Sequence, residues 1–94
     1  IYAKLKIEKG VTFSYGSGAA TNLDLVGTLY MDGSILSLAS NKALTLSSGT
    51  FVINDKVTVN AGSVSYPLTI GNDVDLIVAG GSTMDVASGK IVYG

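Results

Sequence analysis

Three aspartates near the end of the chain, Asp73, Asp75 and Asp85, are the residues with the clearest capacity for chemistry. Asp73 and Asp75 are two apart, so an extended strand would carry both on one face. Glycoside hydrolysis uses a pair of carboxylates flanking a bound sugar, one as acid and one as base or nucleophile. It also needs a groove and side chains that clamp the sugar, and the sequence contains no Arg, His or Trp. Asn72-Asp73 reads as a turn and Asp75 as a strand residue facing water. No catalytic residue is therefore expected.

Other candidate sites lead to the same expectation. Gly80-Gly81-Ser82-Thr83-Met84-Asp85 partly matches the calcium-binding nonapeptide of β-rolls, but Thr83 stands where a Gly is required. The motif occurs once, whereas calcium there is held between tandem copies. Gly16-Ser17-Gly18 and Gly80-Gly81 are short glycine stretches without the following Lys-Ser/Thr and helix of a phosphate cradle. Tyr2, Tyr15, Tyr30, Tyr66 and Tyr93 are scattered, as half-buried strand residues with wet hydroxyls would be. With no His and no Cys, the commonest general base and the soft metal ligands are missing. The expectation is no enzyme activity, no metal and no cofactor.

The composition narrows the partners. Net charge is −1, and the six basic residues are all Lys, so nothing builds the positive field that nucleic acid requires. Apolar residues make up 47% of the chain and charged residues 14%. That is apolar for a small protein that stays alone in water. The longest apolar run, residues 76–79, is far too short for a transmembrane segment. The length suits one domain, spanning residues 1–94.

The elements that would position any site are written in a repeated beat. Leu5/Ile7, Val11/Phe13, Leu23/Leu25, Leu29/Met31, Leu36/Leu38, Leu44/Leu46, Phe51/Ile53, Val57/Val59, Leu68/Ile70, Val74/Leu76, Met84/Val86 and Ile91/Tyr93 are apolar pairs around one central residue. That residue is often polar, as at Lys6, Thr12, Asp24, Thr45 and Thr58. Alternation of this kind turns one face of a strand inward and the other to water. Gly, Ser, Asn and Asp between the pairs mark tight turns. Helix signals are nearly absent; residues 36–46 are the best candidate and lack a sustained helical period. Pro67, the only proline, precedes Leu68/Ile70, where a strand would begin.

The pairs also group in threes. Leu23/Leu25, Leu29/Met31 and Leu36/Leu38 are answered about twenty-one residues later by Leu44/Leu46, Phe51/Ile53 and Val57/Val59. Residues 63–66 would be a small insertion at a corner. A fixed period of this size predicts an all-β parallel β-helix, or β-solenoid, of about five short coils with about three strands each. Leu25, Leu46, Ile53, Val59, Ile70, Leu76 and Val86 are the expected inward residues. The alternative is an antiparallel sandwich or meander, for which Asp32-Gly33 is a hairpin signal.

The stretch Val74-Asp75-Leu76-Ile77-Val78-Ala79-Gly80-Gly81-Ser82-Thr83-Met84-Asp85-Val86-Ala87-Ser88-Gly89-Lys90-Ile91 resembles the rungs of secreted right-handed β-helices: autotransporter passengers, filamentous haemagglutinins and related surface adhesins. Leu44-Thr45-Leu46-Ser47-Ser48-Gly49-Thr50 and Val57-Thr58-Val59-Asn60-Ala61-Gly62-Ser63 have the same cadence. The resemblance implies an extracellular or cell-surface location, which suits a chain that starts at Ile1 like a processed product.

A solenoid ends in coils whose backbone groups lack a partner, and monomeric solenoids block those ends with caps. No stretch here reads as a cap. Leu5 and Ile7 lie in a charged, edge-like first strand, and Ile91, Val92 and Tyr93 form the last one. These five residues are the expected assembly surface of a subunit that stacks on copies of itself into a filament. The alternative is part of a larger adhesin that presents Ser/Thr/Asn-rich faces to a glycan or host surface.

Overall fold

The apolar pairs fold as strands in the computed structural model, which describes residues 2–16 and 21–94. Among these residues the strands are β1 (Tyr2–Ile7), β2 (Thr12–Tyr15), β3 (Asn22–Asp32), β4 (Ile35–Leu38), β5 (Ala43–Asn54), β6 (Lys56–Asn60), β7 (Leu68–Val78), β8 (Thr83–Ser88) and β9 (Ile91–Tyr93). No helix occurs among the described residues. Odd-numbered strands form one sheet in the order β1-β3-β5-β7-β9, and even-numbered strands a second in the order β2-β4-β6-β8. Every neighbouring pair is parallel. Each strand therefore stacks on the strand one turn earlier, which makes the fold a β-solenoid of about four turns. The antiparallel alternative is excluded. Asp32-Gly33 is a corner between two sheets, with Gly33 at φ 53°, and not a hairpin.

The turns number about four rather than about five, and the strand count per turn also differs from the expectation, for one reason. Two of the three apolar pairs in a turn share one long strand: Leu23/Leu25 and Leu29/Met31 in β3, Leu44/Leu46 and Phe51/Ile53 in β5. The turns that hold β3, β5 and β7 thus each have one long and one short strand. The long strand changes course at a bulge, between Leu25 and Val26 on β3 and between Leu46 and Ser48 on β5. Gly27 and Gly49 sit stacked just beyond, at φ 136° and 114°. A Cβ on Gly49 would collide with the Gly27 carbonyl, so the bend needs glycine there.

Equivalent residues of successive turns stack in columns. Inside the coil these columns are Leu23, Leu44, Leu68 and Ile91; Leu25, Leu46, Ile70 and Tyr93; Leu5, Leu29, Phe51 and Leu76; Ile7, Met31, Ile53 and Val78; and Phe13, Leu36, Val59 and Val86. Leu29, Phe51, Leu36, Val59, Leu44 and Leu46 are wholly buried. Each such side chain contributes about 1.5–3 kcal/mol by leaving water, which makes these columns the main source of stability.

Polar columns run down the outside. Thr45 Oγ1 donates to Asn22 Oδ1 (3.0 Å), Ser47 Oγ to Asp24 Oδ1 (2.6 Å), and Asn54 Nδ2 to Asp32 Oδ1 (3.0 Å). Each bond joins neighbouring turns. A corner column of Gly10, Gly33, Asp55 and Gly81 has positive φ throughout. Asp55 is the only non-glycine among the described residues with such a φ, at 66°. Its carboxylate accepts from Lys9 Nζ at 2.9 Å, and its backbone N–H donates to Ser82 Oγ at 2.8 Å. The corner therefore clips the first, third and fourth turns together. Residues 63–66 form the expected corner insertion, closed by mutual backbone bonds of Ser63 and Tyr66 at 3.2 Å.

Candidate functional site at the two ends of the coil

At the N-terminal end, β1 and β2 are the outer strands of their sheets. Alternation in Lys4-Leu5-Lys6-Ile7 turns both lysines to water, buries Ile7 and half-buries Leu5. β1 pairs with residues 26–31 of β3, so residues 22–25 of β3 have no described strand beneath them. Lys6 Nζ stands 5.3 Å from the centre of the Tyr30 ring, a cation–π distance. Lys4, Leu5, Lys6, Thr28 and Tyr30 line a hollow of about 310 Å³ on this face.

The C-terminal end has the converse step. β9 pairs with residues 68–70 of β7 and leaves residues 73–78 without a described strand above them. β8 is likewise the outer strand of its sheet. Apolar side chains gather here: Leu76 is 41% exposed, Val78 53%, Val86 40% and Tyr93 57%. Leu76 and Val86 do stand in the inward columns, as expected, but they are not buried because no described turn lies on them. The other expected core residues, Leu25, Leu46, Ile53, Val59 and Ile70, are buried.

The phase of the ladder decides which backbone groups face outward at this end. The Leu68 N–H donates to the Lys90 carbonyl (3.1 Å), and the Gly94 N–H donates to the Ile70 carbonyl (2.9 Å). Successive strand residues alternate sides, so Val92 also faces β7, and the backbone donors on the open side belong to Ile91 and Tyr93. Val92 is thus not a joint donor, although it lies in the terminal strand. The Ala79 N–H donates to the Ile53 carbonyl (2.9 Å), and the Tyr93 hydroxyl donates to the Val74 carbonyl (3.2 Å). Both bonds put the backbone groups of Val74, Leu76 and Val78 on the open side.

The two ends differ in charge. Lys4 and Lys6 mark the first edge, whereas Asp73, Asp75 and Asp85 mark the last. Away from them, the Asp55 carboxyl is held below its ordinary range by the hydrogen bond from Lys9, with help from a backbone bond and the ammonium charge. Lys9 is raised by the same hydrogen bond and by the charges of Asp55 and Asp32.

The acidic residues do not converge. Asp73 and Asp75 lie on the outer face of β7, beside Ser48 and Thr50, and Asp85 lies in the other sheet beside Thr58. Among the described residues no cluster of three or more His, Cys, Asp or Glu could hold a metal ion. Gly80-Gly81 is a corner between β7 and β8. Of Gly16-Ser17-Gly18, the last two lie outside the described residues. Tyr2, Tyr15, Tyr30 and Tyr93 lie on four different strands and Tyr66 at a corner; contrary to the expectation of half-buried strand residues, Tyr2 and Tyr93 are exposed and Tyr66 is in no strand. Among the described residues no helix is long and apolar enough to cross a membrane.

Sequence reasoning missed Ser34. It is 2% exposed, and its Oγ has no hydrogen-bond partner among the described residues. The signal was its place directly before the Ile35 strand, one position from the corner glycine. Comparison with protein-family models, curated proteins and solved structures yields no significant match.

Proposed function

We propose that the chain is a structural subunit that stacks end to end on copies of itself into an extracellular filament. The observation that carries this is the complementary step at the two ends. One end leaves residues 22–25 without a described strand partner beside β1; the other leaves residues 73–78 without one beside β9, although Leu25 and Val74 are buried within these stretches. A second copy set on in the spacing of the turns would lay its β1 on residues 73–78 and its residues 22–25 on β9. Its Leu5, Ile7 and Phe13 would then cover Leu76, Val78 and Val86, extending the columns within the coil. A contact of one end with the opposite end does not close on itself, so it propagates as a fibre. The likeness to secreted β-helices supports the extracellular placement. No reaction, metal or cofactor enters this function.

Sedimentation and electron microscopy across a concentration series test it. Unbranched fibres with a repeat of about 4.8 Å along the axis are expected, because the strands lie across it. A protein that stays monomeric at high concentration across salt and pH rules this function out. So do fibres whose contacts lie on the sides of the coil.

A second function, glycan binding at a surface, is favoured by one observation: the hollow beside the Tyr30 ring. Titration with oligosaccharides, read from tyrosine fluorescence, separates the two, since a binding module saturates as a monomer.

A further inference from the structure

We propose that the joint between copies has one register, which sets Lys4 of the incoming copy beside Asp75 of the resident one and makes assembly polar and salt-sensitive. This rests on the end-to-end assembly proposed above and specifies its partner surface: the β1 edge of a second copy of this chain.

The register comes from the columns. Lys4, Thr28, Thr50 and Asp75 occupy one outward column, one residue per turn. The column starts with a cation and ends with an anion, with two uncharged threonines between. Stacking in the phase of the turns brings the end of one column to the start of the next, at the strand spacing of about 4.8 Å. The inward column Leu5, Leu29, Phe51 and Leu76 lies next to it, so the same register sets Leu5 on Leu76. A slip by one residue would turn Leu5 and Ile7 to the outside and set Lys4 and Lys6 over the core. Apolar columns and charge therefore select the same register. The reverse orientation, first end to first end, sets lysines against lysines, so charge also selects polarity.

Backbone phase agrees. The open side of β7 presents the groups of Leu76 and Val78, which flank Ile77 and follow Asp75; the Val74 carbonyl on the same side already accepts from the Tyr93 hydroxyl. Along the columns the outward residues face the earlier turn; the Asn54 carbonyl, for example, accepts from the Gly33 N–H at 2.9 Å. Lys4 and Lys6 are the outward residues of β1, so their backbone groups face the empty side. Donors and acceptors of the two edges then alternate as parallel pairing requires.

The test uses two charge reversals on exposed residues, Lys4→Asp and Asp75→Lys, in the full chain, with circular dichroism confirming that both fold. Each alone places like charges across every joint, which should raise the critical concentration about tenfold. Mixed in equal amounts, the two variants should copolymerise at close to the wild-type concentration, with the two chains alternating. Added salt should weaken the wild type and relieve the single variants. Wild-type fibres that are matched by both single variants alone overturn the register while leaving end-to-end assembly standing. A mixture no better than its components does the same. A wild type that forms no fibres overturns both.

Discussion

Turns three and four are built on the same columns, yet they behave as different materials. Phe51, Ile53 and Val59 in the third turn are buried to 1% exposure or less. Leu76, Val78 and Val86, directly after them in their columns, are 40–53% exposed. The residue types are alike and so is the alternation. Alternation decides which way a side chain points; at the last turn, with no described strand above, the inward side chains Leu76, Val78 and Val86 stay wet, whereas Ile7 in the first turn is buried all the same. In a globular domain these two properties come together, whereas in this solenoid they separate at the last turn.

The largest effect that tests this difference is a charge in each position. Leu46→Asp should abolish folding, since an unpaired carboxylate in the column costs as much as a small domain has, about 5 kcal/mol or more. Leu76→Asp should leave a cooperative thermal transition close to wild type and suppress fibres. If both variants unfold alike, the last turn is part of the core and the contrast is lost.

Next come the glycines. Gly49→Ala sets a Cβ against the Gly27 carbonyl at a φ few side chains adopt, and should cost about 3 kcal/mol or more in urea unfolding. Gly80→Ala, with nothing within 4 Å of the added carbon, should stay within about 0.5 kcal/mol of wild type.

Proline at the end strand sharpens the ladder phase. Ile91→Pro removes a donor on the open side and should hinder fibre growth with little loss of subunit stability. Val92→Pro removes a bond to β7 and should lower subunit stability by about 1 kcal/mol. Equal effects of the two on the monomer would show that the phase is not as the Lys90 and Gly94 bonds place it.

Of similar size but opposite sign, Ser34→Ala should raise stability by about 1 kcal/mol, because it removes a buried hydroxyl that has no partner among the described residues. A loss of stability would mean that the hydroxyl is satisfied by water.

The slightest effect concerns the Lys9 and Asp55 corner. The Asp55 pKa is lowered in the folded chain, so its contribution is complete above the ordinary carboxylate range and is lost as pH falls through the folded value. The Lys9 pKa is raised, so its contribution is complete below the ordinary lysine value and is lost as pH rises through the folded one. Both groups are exposed and screened. The gap in denaturation midpoint between wild type and Asp55→Asn should therefore be small at neutral pH and close in acid.

Much of the fold was legible because the columns repeat. Leu25 and Leu46, or Ile53 and Met31, can be matched by period alone, and so can the corner insertion at 63–66. Two apolar pairs on one strand were not legible, since Gly27 and Gly49 read equally well as a turn between strands or a bulge within one. The exposure of Leu76 and Val86 was hidden because a sequence pattern does not show what lies above it. The terminal strands were identified from their edge-like pattern. Which backbone groups they turn outward was not, because hydrogen-bond phase depends on register and leaves no trace in residue type.

Parallel stacking also has a mechanical consequence. The ladder bonds run along the coil axis, and each strand pairs only with the strands one turn before and after it. A pull on the chain's two ends therefore peels the outermost turn first and loads the next only once that turn is free. Each turn of about twenty-two residues releases about 70 Å of slack. Under tension the coil would lengthen in steps, its central turns opening last.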